Sequence, residues 1–233
     1  MNLTKEYTTN QKMNLLLLLM TGFCFFLSVF RVFISGTTYF LFLNWNLFLA
    51  AIPYLLTASI SIDKKGKAQQ LKMIGVSMVW LVFFPNAPYI LTDLFHLRLE
   101  TTVPKWFDLI LIISFAWTGL LFGFLSLLKI EKLYTNFFTV KQVAWFSTLI
   151  LFLASFGVYL GRFLRWNSWD IINNPSHLFF DISDRVVNPF EHPRTWGVTI
   201  LFGFLLNLIY WTIKLLRSQN SSKNESREEY FII

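Results

Sequence analysis

Apolar residues fall in six blocks along the chain, each near the length needed to cross a hydrocarbon core. They cover roughly Met13–Phe33, Tyr39–Ser61, a third block opening at Leu71, Trp106–Leu128, Val143–Leu160 and Trp196–Leu216. Only Ser35-Gly36-Thr37-Thr38 separates the first two, so they predict an antiparallel hairpin. The first block has no short apolar core followed by a small-residue cleavage site, and is expected to be a retained helix. The pattern predicts one all-α membrane domain over residues 13–216, with residues 1–12 before it. Residues 217–233 are polar without an apolar period, which predicts a disordered tail.

The third block is interrupted. Leu71–Phe84 is apolar, and Pro85-Asn86-Ala87-Pro88-Tyr89 follows. Two prolines remove two backbone donors and crowd the preceding turn, so the third span must kink or stop there. Irregular backbone at membrane depth needs protein or water beside it. After the break, Tyr89, Asp93, His96 and Glu100 recur at i, i+4, i+7 and i+11, one face of an α-helix. Asp93 and His96 are the candidate catalytic pair, because a carboxylate and an imidazole one turn apart can share a proton or hold a cation. A bland alternative is an interfacial helix with its polar face in water.

Composition supports the membrane reading. The 233 residues are 55% hydrophobic and only 14% charged, against about 25% charged in soluble domains. The net charge of +7 divides by side. With the N-terminus inside, thirteen of the twenty basic residues and six of the thirteen acidic ones are cytoplasmic. The inner side then carries the whole net charge, as positive-inside topology requires. This predicts cytoplasmic termini and excludes a nucleic-acid stripe. Eleven of twelve lysines are inside and six of eight arginines outside. Arg31 and Asp108 lie near span ends, where they can snorkel or cap. The one cysteine, Cys24, excludes an intrachain disulfide and multi-cysteine metal sites.

All three histidines fall on the predicted outer side. A second constellation there is Arg162, Arg165, Trp166, Asn167 and Asp170. The two arginines are placed to clamp one anionic group or to pair with acids such as Asp93 or Asp170. With Asn86 and Tyr89 these are the candidate binding residues. Gly119/Gly123 and Gly157/Gly161 are small-xxx-small pairs that allow close helix packing. In the long outer loop, Asn174-Pro175 reads as a helix start. His177, Asp181 and Asp184 then share a face and form a weak candidate set for a divalent metal.

The stretches Trp45-Asn46-Leu47-Phe48-Leu49-Ala50-Ala51-Ile52-Pro53, Phe84-Pro85-Asn86-Ala87-Pro88-Tyr89 running to Asp93-Leu94-Phe95-His96-Leu97, and Arg165-Trp166-Asn167-Ser168-Trp169-Asp170 together resemble a known family. It is the bacterial multi-pass membrane-protein family catalogued as domain of unknown function 1361. The resemblance spans roughly residues 41 to 216. It implies a bacterial cytoplasmic-membrane protein and supplies no catalytic residues. Three functions stay open: an outer-face enzyme or binder of anionic lipid or envelope precursors, a small-solute transporter or channel, and a non-catalytic scaffold or partner subunit. The bilayer is the one partner the composition requires.

Overall fold

The computed structural model describes residues 2–60, 67–98 and 103–230, with side chains over 11–60, 69–97 and 103–219. Glu100, the last member of the helical face, lies outside the described residues. So do Lys64 and Lys65 and the side chains of Lys5, Lys67, Arg98, Lys223 and Arg227. Every described element is helical: α1 (Asn2–Ser35), a 3₁₀ turn (Tyr39–Leu41), α2 (Phe42–Ala58), α3 (Lys67–Phe83), α4 (Asn86–Tyr89), a 3₁₀ stretch (Ile90–Arg98), α5 (Lys105–Tyr134), α6 (Val140–Phe163), α7 (Asp170–Asn173), α8 (Pro175–Val187) and α9 (Pro193–Tyr230). Among the described residues, six segments are long and apolar enough to cross a membrane, one of them Gln69–Leu97 with its break included. The six-span expectation holds. Where the hydropathy pattern ends the last span at Leu216, the helix itself runs on to Tyr230.

α5 is the central helix. Leu111, Ile112, Phe115 and Leu127 along it are fully buried, and α1, α2, α4, α6 and the 3₁₀ stretch all pack on it. Many apolar side chains of the outer helices face away from the protein, including Leu18, Phe26, Leu71, Trp145 and Leu201. Such surface suits contact with lipid.

Contacts define two ends. One end joins Asn14 to Tyr54, and Glu131 to Lys214 at 2.6 Å. The other, called distal below, joins Arg31 to Asp108, Tyr39 to His96, and Arg162 to Asp93.

The structure revises the expected roles of Arg31 and Asp108. Both are buried, and Arg31 forks onto Asp108 at 2.7 and 3.2 Å rather than reaching toward water. The guanidinium also donates to Thr37 at 3.2 Å and lies over the Phe40 ring. Packing of α5 on α1 brings the Asp108 carboxylate to this arginine and the α1–α2 turn brings the Thr37 hydroxyl, so pairing replaces snorkelling.

The proline break is more compact than a kink. Phe84 closes the last turn of α3 onto Trp80, and the Tyr89 N–H donates to Pro85 O at 3.1 Å. Beyond it the chain tightens into 3₁₀ geometry, not the α-helix expected over Tyr89–Glu100. Three residues per turn stack Asp93 directly under His96 and rotate Tyr89 off their line.

The two glycine pairs explain how this segment is held. A Cβ added at Gly123 would stand 2.7 Å from Ala87 Cβ, and one at Gly157 2.7 Å from Pro85 Cγ. Gly119 faces Ala87 and Ile90, and Gly161 faces the Tyr89 ring. α5 and α6 therefore each present a glycine groove, and the broken segment lies between them. Ala87 and Ile90 are fully buried as a result.

Candidate functional site

At the distal end the 3₁₀ stretch places Thr92, Asp93 and His96 against the last turn of α6. Asp93 is 1% exposed. Arg162 Nη2 donates to Asp93 Oδ1, and Arg162 Nε donates to Thr92 Oγ1 at 2.7 Å. From α2, Asn46 Nδ2 donates to the other Asp93 oxygen at 2.9 Å. The guanidinium also rests on the Tyr89 ring, 4.7 Å from its centroid. A buried carboxylate is tolerable only when paired and hydrogen-bonded in this way.

His96 stands at the edge of the cluster, 28% exposed at its side chain. Its Nε2 is 3.3 Å from Arg162 Nη1 and 3.9 Å from Asp93 Oδ1. Its Nδ1 meets the Tyr39 hydroxyl at 3.1 Å. The Arg162 N–H can only donate, so Nε2 accepts and Nδ1 carries the proton of a neutral ring. The interfacial alternative, with this polar face in water, does not fit a buried Asp93.

Next to the ion pair is a cavity of about 350 Å³. Leu49, Leu81, Phe84, Leu153, Phe156, Leu160, Leu178 and Ile182 give it apolar walls. Trp45, Trp166 and Trp169 add indole surface, while Asn46, Asn86, Tyr89, Asn167 and Ser168 supply the polar groups. Asn46 and Tyr89 belong to both the cavity and the ion-pair cluster. Pro85 and Asn86 line the cavity directly, so the break in the third span does face open space, as irregular backbone at this depth requires. Asn86 fixes its own place by donating to Phe83 O at 2.9 Å and to Ser168 Oγ at 3.0 Å.

The candidate residues thus separate into groups. Asp93, His96, Arg162 and Tyr89 come together in one cluster. Asn86, Trp166 and Asn167 come together around the cavity. Asp170 is spent locally, accepting from the Asn167 backbone and side chain at 2.7 and 3.3 Å. Arg165 sits exposed in a left-handed turn, φ 64°, after α6 ends. That turn directs the chain away from the α6 axis, and Arg165 joins neither Arg162 nor an acid among the described residues. The two-arginine clamp does not form.

The expected helix start is right in position, with Asn174 before Pro175, though Asn174 makes no side-chain capping bond. On α8, Asp181 accepts from the Trp166 indole at 2.7 Å and pairs with Arg185 at 3.3 Å. Asp184 accepts from Asn188 at 2.9 Å and meets His192 at 2.7 Å. These hydrogen bonds hold the Asp184 carboxyl below the ordinary carboxylate range. Among the described residues no group of three His, Cys, Asp or Glu is spaced to hold a metal. His177 is exposed and apart from the two aspartates' bonds.

Sequence reasoning missed Tyr39, Asn46, Thr92 and Ser168. Asn46 carried a signal, a polar residue inside an apolar block beside Trp45. Thr92 and Ser168 carried none, since hydroxyl residues are common near span ends.

No curated protein and no solved structure matches the chain. A family model does match, over residues 45–209, a stretch that includes the Asp93–Arg162 pair and the whole cavity lining but not Tyr39. On that match the chain belongs to the family described as protein of unknown function (DUF1361).

Proposed function

We propose that this is a bacterial cytoplasmic-membrane protein whose distal end faces outward and holds an amphiphile, a lipid or lipid-linked envelope precursor. One observation carries the reading: a cavity with apolar walls and a cluster of amides and hydroxyls, set between spans at the end of the bundle. Pockets of this size and lining are the usual form of small-ligand sites. The apolar walls suit a chain entering from the bilayer, and the polar groups suit a headgroup at the interface.

Asp93 and Arg162 serve this site by position. Their pair fixes the 3₁₀ stretch to α6, and with it Tyr89 and Asn46 on the cavity wall. His96 is the candidate proton-handling group, because its partly exposed imidazole stands beside the Asp93 carboxylate. A transporter is the second reading, favoured by a broken span lining the cavity.

The test is native mass spectrometry of the protein extracted in its own lipids, followed by flux measurements in proteoliposomes. Retention of one lipid class by wild type and its loss in Asn86→Ala support the amphiphile reading. Solute flux that depends on Asn86, without a retained lipid, overturns it in favour of transport.

A further inference from the structure

We infer that the polar part of the ligand is an uncharged polyhydroxyl group, a sugar or polyol, rather than a phosphate or an ammonium. The inference rests on the amphiphile reading above and narrows its chemistry.

The argument is an account of hydrogen-bonding valences. Each cavity asparagine is oriented by an acceptor. Asn46 Nδ2 points to the Asp93 carboxylate, Asn86 Nδ2 to Phe83 O, and Asn167 Nδ2 to the Asp170 carboxylate. A reversed amide would set oxygen against oxygen in all three cases, so the assignment is fixed. Asn86 has used both N–H groups, the second on Ser168 Oγ. Three amide oxygens, one lone pair on Ser168, one N–H each on Asn46 and Asn167, the Tyr89 hydroxyl and the indole N–H groups of Trp45 and Trp169 remain as valences. The set is mixed, with donors and acceptors side by side.

A phosphate offers acceptors only and would meet amide oxygens without a balancing cation. Arg162 does not supply that charge, since Asp93 neutralises it. An ammonium accepts no hydrogen bond, so it would leave the Asn46 and Asn167 N–H groups unpaired, and its charge needs a carboxylate. Among the described residues no carboxylate lines the cavity. A hydroxyl both donates and accepts, so a ring of hydroxyls satisfies the mixed set. Trp45, Trp166 and Trp169 add flat apolar surface of the kind that covers the C–H face of a sugar.

The experiment uses the full chain in phosphatidylcholine nanodiscs. Dodecyl maltoside, dodecyl phosphate and dodecyltrimethylammonium share one chain and differ in headgroup. Each is added below its micellar concentration, and binding is read from tryptophan fluorescence with dodecanol as the headgroup-free control. The maltoside should bind at least tenfold more tightly than the other three. Asn167→Ala should weaken it about fivefold, the loss of one or two modest hydrogen bonds. Asn86→Ala should weaken it further, with Asn167→Ala as the variant whose exposed position protects the fold. Tighter binding of the phosphate or the ammonium overturns the headgroup assignment and leaves the amphiphile reading standing. Equal binding of free maltose and dodecyl maltoside keeps the polyol and overturns the amphiphile. Binding of none of the four overturns both.

Discussion

Remove Asp93, and the Arg162 guanidinium would lie among Thr92, His96 and the Tyr89 ring with no countercharge. Breaking a buried ion pair from one side costs about 3–5 kcal/mol, whereas exchanging both members for packed apolar residues costs far less. Asp93→Ala and Arg162→Ala should therefore each lower the melting temperature in detergent sharply. The double variant Asp93→Leu/Arg162→Met should recover part of the loss; additive losses would show that the two groups do not act as a pair. Arg162→Lys should also be costly, because the fork bridges Asp93 and Thr92 and an ammonium cannot span both. Asp184 gives the residue scale its pH dependence. Its carboxyl is held low in the folded chain, so its contribution is complete above the ordinary carboxylate range, near 3.8. The contribution is lost as pH falls through the depressed value. Hydrogen exchange over residues 175–192, relative to the intrinsic rate, should quicken only below about pH 4, and Asn188→Ala should shrink that acid response. An acid response undiminished in Asn188→Ala would deny Asn188 its part.

At the scale of elements, the glycine grooves set the tolerances. Gly123→Ala places a methyl against the fixed methyl of Ala87, and Gly157→Ala places one against the Pro85 ring. Neither neighbour is the end of a flexible chain, and overpacking of this kind costs about 1–3 kcal/mol. Gly22 and Gly75 have nothing within 4 Å, so alanine there should be neutral or stabilising by up to about 1 kcal/mol through helix propensity. Thermal shift of the four variants separates groove glycines from incidental ones. α8 divides into three sectors. Leu178 and Arg185 are buried on the protein side, and His177, Asp181 and Asp184 share a polar face. Phe179 and Val186 point outward, 72% and 54% exposed. Indoles of Trp166 and Trp196 bond this helix, which sets it at the depth tryptophans favour. Nitroxide labels at 179 and 186 should meet oxygen more readily than a water-soluble nickel complex, and a label at 177 the reverse. The opposite ranking would place the outward row in water. Much of this level was legible in the sequence. Apolar block length found the spans, and Pro85/Pro88 found the break. The 3₁₀ winding was not legible, because it arises from packing against α5 and α6 rather than from local preference. The partnership of Asp93 with Arg162 was only one of several pairings the charges allowed. A separation of 69 residues is settled by helix packing.

For the whole molecule, the prediction concerns which end faces the cytoplasm. The charge division predicts that the non-distal end faces inward, toward anionic headgroups. Cys24 is buried, so single thiols can be added against a protected background. Glu191→Cys at the distal end should react with an impermeant maleimide in intact cells. Ser218→Cys should react only after permeabilisation. Inverted labelling would reverse the topology and bring the cavity to the cytoplasmic leaflet.

The clasp around Asn86–Tyr89 bears on biogenesis. Its two jaws, α5 and α6, are synthesised after the segment they grip. While the nascent chain ends before residue 140, Pro85 has no Gly157 to lie against and Asp93 no Arg162. The third span must then wait in the membrane as a short apolar stretch with a bare carboxylate, its final depth undecided. The protein is thus finished backwards, with a late helix completing an early one. A chain stalled before α6 should leave residues 86–96 open to a protease or an insertase that the completed chain excludes.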